Sequence, residues 1–259
     1  MVDPLSGGHA HGLYVHGRST LHRMRPQCKV AAGFLFVCAV VATPRETVWV
    51  YAAYALMLLV VARIAHVSPS FVARRLVIEV PFLLFAVFLP LLAGGPRLHV
   101  LGIALSEPGL WAAWNIAAKA TLGLSTTILL GATTTVAEVL HGLESLRMPR
   151  VIVGIAHFMV RYADLIMGEM KRMKIARESR GYSARWIWRA RAVASSIGAL
   201  FVRSYERGER VYLAMVSRGY NGAVPLIDRR APTALEWTAA LAFPASAAAL
   251  ASIAWLVAT

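Results

Sequence analysis

Two segments of the chain repeat one short pattern that sets a guanidinium group where it can act. Ala176-Arg177-Glu178-Ser179-Arg180-Gly181-Tyr182 and Ala214-Met215-Val216-Ser217-Arg218-Gly219-Tyr220 both read A-x-x-S-R-G-Y. Glycine one step past a helix end relieves left-handed backbone strain, and arginine in the last turn complements the negative end of the helix dipole. Ordinary C-caps therefore account for each copy singly. Their recurrence on consecutive segments suits a second use, in which Arg180 and Arg218 dock into duplicated acceptor pockets on a pseudo-symmetric or dimeric partner. Both readings stand at this level.

Other residues that could carry chemistry point away from an enzyme. None of the lysines Lys29, Lys119, Lys171 and Lys174 ends a GxxxxGK phosphate loop, and neither HExxH nor GxSxG occurs. No catalytic residue and no cofactor is expected. His9, His11 and His16 lie in a Gly-rich tail with spacing that makes a poor ion site, so no metal centre is expected either. Cys28 and Cys38 form no CxxC pair and read as free thiols. Glu79 and Lys119 fall inside apolar runs, where ionisable groups are functional candidates by default. Glu79 lies near Arg74 and Arg75, which favours snorkelling or local pairing; Lys119 is nearer mid-span and has no assignable role.

The elements that must position these groups follow from composition. The 259 residues are 58% hydrophobic, 15% charged and carry a net charge of +14; mean hydropathy is +0.59. A soluble domain is nearer a quarter charged. Such strong hydrophobicity joined to basicity fits a bilayer protein with its charge on one side, and the long apolar runs argue against a nucleic-acid binder. The first 28 residues are polar and lack the apolar core of a cleavable signal. Five stretches read as spans: Val30 to Thr43, Thr47 to Ala65, Leu76 to Ala93, Gly109 to Ala132 and Leu235 to Ala258. About 20 apolar residues cross the hydrocarbon; the run from Val151 to Tyr162 reads as too short. Of the 27 lysines and arginines, 24 fall on one side of these spans. The positive-inside bias sets the N-terminus and the long segment Thr133 to Thr233 in the cytoplasm, and the C-terminus outside. The expected organisation is residues 1–132 as tail and four spans, 133–233 as a cytoplasmic region, and 234–259 as the last span.

Within that region, Thr133-Thr134-Thr135 with Glu138 reads as a capped helix start, broken at Met148-Pro149. From there to Arg180, Ile152, Ile155, Met159, Tyr162, Ile166, Met170 and Met173 recur at three- and four-residue steps. A second helix is expected from Trp186 to Arg218, with Ser204 and Gly208 as a small-xxx-small pair permitting close helix crossing. The fold class is all-α integral membrane, with about five spans plus two long surface helices that cross each other. A basic lipid-binding membrane scaffold is the main rival function.

At these residues the sequence resembles the transmembrane coupling (T) component of energy-coupling factor transporters. Ser19-Thr20-Leu21-His22-Arg23-Met24-Arg25-Pro26 with Lys29 is similar to the S-x-L-H-R-L-D-P-x-x-K pattern of the cobalt-transporter type, CbiQ; Arg25 stands where that pattern has aspartate. The stretch from Thr134 through Glu138 to Leu146-Arg147-Met148-Pro149 resembles the lead-in to the family's coupling helices. The resemblance implies that Ser179-Arg180-Gly181 and Ser217-Arg218-Gly219 dock on two ATP-binding-cassette ATPase subunits, with serine where alanine is commoner. It also implies a separate substrate-binding (S) membrane subunit, a multi-pass place in a bacterial or archaeal cell membrane, no nucleic-acid partner and no catalysis by this chain. Cobalt is the implied cargo, with nickel, biotin or another vitamin as alternatives.

Overall fold

The structure, a computed structural model, describes residues 19–92, 94, 96–100, 103–181, 190–222 and 232–258. Helices carry the fold: α1 Thr20–Arg23, α2 Pro26–Ala42, α3 Val48–Ile64, α4 Pro69–Leu76, α5 Val80–Leu92, α6 Glu107–Thr133, α7 Val136–Ser145, α8 Arg150–Glu178, α9 Ala190–Val216 and α10 Ala234–Ala258. Among the described residues one antiparallel hairpin, β1 Arg97–Val100 with β2 Ile103–Ser106, interrupts an otherwise all-α membrane protein. Its register pairs Arg97 with Ser106. The chain divides into two compact units. One holds α1–α7, the hairpin and α10; the other holds α8 and α9.

Chain ends of the helices obey local chemistry. Pro26, Pro69 and Pro108 sit in the first turns of α2, α4 and α6, where the missing N–H costs nothing. Of the three threonines after α6, Thr135 is the cap: its hydroxyl accepts from Glu138 N at 3.3 Å, and Glu138 returns a carboxylate oxygen to Thr135 N at 2.7 Å. Thr233 and Glu236 repeat this box before α10.

Among the described residues, four helical stretches are long and apolar enough to cross a membrane: Pro69–Leu92, Glu107–Thr133, Arg150–Glu178 and Ala234–Val257. Pro26–Ala42 and Val48–Ile64 are shorter apolar helices, each 17 residues or about 26 Å. The third span therefore starts seven residues earlier than Leu76, α4 and α5 joining through a 3-10 turn at Val77–Glu79. The stretch from Val151 also exceeds expectation. Its apolar character continues past Tyr162 through Leu165, Ile166 and Met167, so length and composition alone do not exclude it as a span.

The core of the larger unit gathers α2, α3, α6 and α10. Phe36 stacks on Phe243 at 4.8 Å and meets Tyr54 edge-on at 5.6 Å. Tyr54 is wholly buried, donates its hydroxyl to Ala247 O and shares a hydrogen bond with Thr43. A backbone carbonyl at bilayer depth has no water to turn to, and the end of α2 shows how that demand is met. Lys119 Nζ donates to Val41 O at 2.8 Å, Trp255 Nε1 to Ala42 O at 2.9 Å, and Tyr51 Oη to Thr43 O at 3.2 Å. At the opposite end of the same helix pair, Lys29 Nζ donates to Thr133 O, the last residue of α6. Each of two facing helices thus lends a lysine to the carbonyl end of the other, where a cation is also favoured by the dipole. Lys29 is 8% exposed; it points inward and does not snorkel.

Candidate functional site

The two A-x-x-S-R-G-Y copies fold alike, to the level of individual hydrogen bonds. In the first, Ser179 N donates to Ile175 O, Arg180 N to Arg177 O and Gly181 N to Glu178 O. In the second, Ser217 N donates to Leu213 O, Arg218 N to Met215 O and Gly219 N to Val216 O. Each serine hydroxyl closes on the carbonyl three residues back, Ala176 at 3.1 Å and Ala214 at 3.0 Å. Gly181 and Gly219 take φ of +77° and +81°, the left-handed region where a side chain is strained. Arg180 and Arg218 are both exposed. Ser179 and Ser217 are exposed as well, their hydroxyls turned back to the helix. Tyr182 and the expected helix start at Trp186 lie outside the described residues.

Helices α8 and α9, 29 and 27 residues long, extend about 40 Å each. A single acid fastens them. Glu169 on α8 lies 3.2 Å from Arg207 and 3.8 Å from Arg203, one turn apart on α9. Its side chain is 13% exposed. Arg177 adds a second tie, donating to Ser196 Oγ at 3.2 Å. Sequence reasoning passed over Glu169; the signal was the i,i+4 arginine pair facing an acid on the preceding helix.

Between the two helices lies a cavity of 350 Å³ lined by Phe158, Tyr162, Leu165, Ile166, Ser204 and Gly208, among others. A Cβ placed on Gly208 would meet nothing within 4 Å. The close backbone approach expected at Ser204 and Gly208 is therefore not made in this conformation. Close approach occurs elsewhere. At Gly142 on α7 a Cβ would stand 3.1 Å from both Gln27 N and Pro26 C, so α7 seats directly on the backbone of the α2 N-terminus.

Both ionisable groups within the apolar runs, Glu79 and Lys119, are hydrogen-bonded. Glu79 is 4% exposed and accepts from Thr121 Oγ1 of α6 at 3.0 Å, so it faces the bundle and does not snorkel. Arg75 stacks over Phe71 at 3.5 Å. Lys119 closes the end of α2 as described above. Cys28 and Cys38 are free thiols. Among the described residues no cluster of three His, Cys, Asp or Glu side chains could hold a metal ion; His9, His11 and His16 lie outside them.

A family model described as CbiQ, cobalt transport protein, matches residues 17–227, which takes in both capped helices. The chain belongs to that family. The energy-coupling factor transporter transmembrane protein EcfT of Bacillus subtilis is 29% identical over 225 residues, covering 82% of this chain and 84% of its own length. The EcfT of Listeria innocua is 27% identical over 238 residues, with 82% and 84% covered. A putative fused cobalt transport protein, CbiMQ, of Methanocorpusculum labreanum is 26% identical over 171 residues, 63% of this chain and 28% of that one. This CbiQ-family chain is accordingly a multi-pass membrane protein of the T-component kind.

Proposed function

We propose that the chain is the coupling subunit of an energy-coupling factor importer for cobalt(II), driven by two ATP-binding-cassette ATPase subunits and serving a substrate-binding membrane subunit. The observation that carries this reading is the pair of matched, solvent-facing arginine caps at Arg180 and Arg218. Two equivalent levers suit two equivalent grooves on a dimeric motor. ATP hydrolysis falls to the partners, and cobalt is cargo that the substrate-binding subunit selects. The family's description favours cobalt; the names of the EcfT relatives carry no cargo, and nickel, biotin or another vitamin is the second reading.

In this mechanism α8 and α9 lie along the cytoplasmic surface. The second half of α8 carries Glu169, Lys171, Arg172, Lys174, Arg177 and Glu178, too many charges to enter hydrocarbon at several kcal/mol each by insertion scales, about 2.5–3.5 per residue at mid-helix. Closure of the ATPase dimer displaces the two caps, the helices rotate about the Glu169 tie, and the cavity at Gly208 supplies the slack. The substrate-binding subunit, resting on these helices, tilts and releases its ion inward.

The test is co-purification. Arg180→Glu with Arg218→Glu should abolish recovery of the ATPase pair while the chain stays in the membrane. Arg172→Glu with Lys174→Glu removes the same charge from the same face and should not. Equal loss in both variants would favour the lipid-binding scaffold. Uptake of cobalt against nickel and biotin by the reconstituted complex then decides the cargo.

A further inference from the structure

The larger unit runs through Leu146, and the stretch of the smaller unit that holds α8 and α9 begins at Arg147. Both flanks of that junction are held. On the α7 side, the Thr135–Glu138 box fixes one end of the helix, and Gly142 seats on the α2 backbone at Pro26 and Gln27. Leu146 N then closes the last turn on Gly142 O. On the other side Pro149 O accepts from both Ile152 N and Val153 N, so α8 is under way at once. Only Leu146, Arg147 and Met148 lie between these supports. Pro149 keeps α7 and α8 from fusing into one helix, because its ring disfavours the helical conformation for the residue before it. Every residue from Ser145 to Ile152 is exposed, so packing does little to fix the connection.

Arg147 takes φ of +69°, the left-handed region that a residue with a Cβ enters against a bias on the order of tenfold. Among the described residues His66, at +55°, is the one other residue besides glycine that does so. The two are held differently. After His66, Val67 N donates back to Ala62 O at 3.0 Å; after Gly219, Tyr220 N donates to Met215 O at 3.0 Å. Such a bond, from the residue that follows the turn, locks a left-handed cap. Neither Arg147 N nor Met148 N has a backbone acceptor among the described residues. The strain at Arg147 is therefore not secured by its own turn. A change in that one dihedral redirects all that follows it, α8 and its arginine cap first.

We infer that Arg147 is a one-residue hinge between the two units, held in its left-handed state and able to leave it. The inference rests on the chain's own geometry and not on the ATPase-coupling role, and it is read on the full-length chain by itself, so the two fail separately. Cys28→Ala with Cys38→Ala clears the native thiols. Spin labels at the exposed positions Ala137 on α7 and Ala163 on α8 then report the distance between the units by double electron–electron resonance in nanodiscs. Arg147→Gly lifts the bias against the left-handed state and should narrow the distances onto the parent's main peak. Arg147→Val places a β-branched residue where it is most strained; it should deplete that peak severalfold and populate a second distance. Arg147→Asn loses the charge but tolerates the left-handed region, and should keep the parent's distribution. His66→Ala strains a cap that lies wholly within the larger unit; it should lower the thermal midpoint and leave the distance unchanged. A valine variant with the parent's distribution overturns the hinge. So does an asparagine variant that moves as valine does, or a His66→Ala chain whose distance shifts as far as that of Arg147→Val.

Discussion

Replacing Gly208 by alanine and by leucine separates the stability of the α8–α9 pair from its use. A methyl group at 208 meets no atom within 4 Å, so alanine carries no steric cost there. Glycine in a helix interior is less favourable than alanine by about 0.8–1.0 kcal/mol. Gly208→Ala should therefore stabilise the protein, raising Tm by about 2–4 °C if the gain is expressed as for a domain of this size. Leucine keeps most of the propensity gain and adds apolar carbon to the 350 Å³ cavity, worth about 0.8 kcal/mol for each methylene that becomes buried. Gly208→Leu should thus be at least as stable as the parent, yet it occupies the slack the helices need to change their crossing. Thermal unfolding in detergent measures the first effect, and ATP-dependent uptake with the partner subunits in liposomes measures the second. A leucine variant that is stable and still transports at the parent rate refutes the use of this cavity in coupling. An alanine variant that melts lower refutes the open space at Gly208.

Gly142→Ala should show the opposite sign in the same melt: contacts of 3.1 Å to the α2 backbone make overpacking, about 1–3 kcal/mol, outweigh the helix-propensity gain. Lys29→Met strips Thr133 O of its donor and should cost about 1–3 kcal/mol, read as a lower unfolding midpoint. Glu169→Gln removes the charge from the α8–α9 tie. Because Arg203 is mostly exposed and Arg207 one-third exposed, the loss should be about 1 kcal/mol or less, and it should shrink in 1 M salt, where screening acts over about 3 Å.

Periodic signals carried furthest from the sequence. The apolar helix after Thr47, the span-length helix around Gly109, the Thr135–Glu138 box and the glycine caps at 181 and 219 are local patterns, each set by a few neighbouring residues, and the structure has them. Long-range partners were not legible. Glu79 read as snorkelling or locally paired because it lies near a basic end of a span, and nothing in the sequence named a partner for Lys29; their bonds go to Thr121 and Thr133 on α6, chosen by tertiary packing. Ser204 and Gly208 have the composition of a tight crossing, but they face a cavity that Phe158 and Tyr162 of the other helix also line. The actual close approach, at Gly142, sits on a short helix whose partner is a backbone 115 residues upstream in order of packing. One-sided patterns do not reveal such partners.

The closing bonds at the end of α2 also bear on how the chain is made. The donors to Val41 O and Ala42 O lie 78 and 213 residues downstream, so the first long helix cannot be completed when it leaves the ribosome. Its carbonyl terminus must wait, first for α6 and then for Trp255 on α10. A nascent or truncated product that lacks α10 would present bare peptide oxygens beside an unstacked Phe36, a ready signature for membrane proteolysis. The docking of α10 thus acts as the seal by which a packed bundle differs from a partly assembled one.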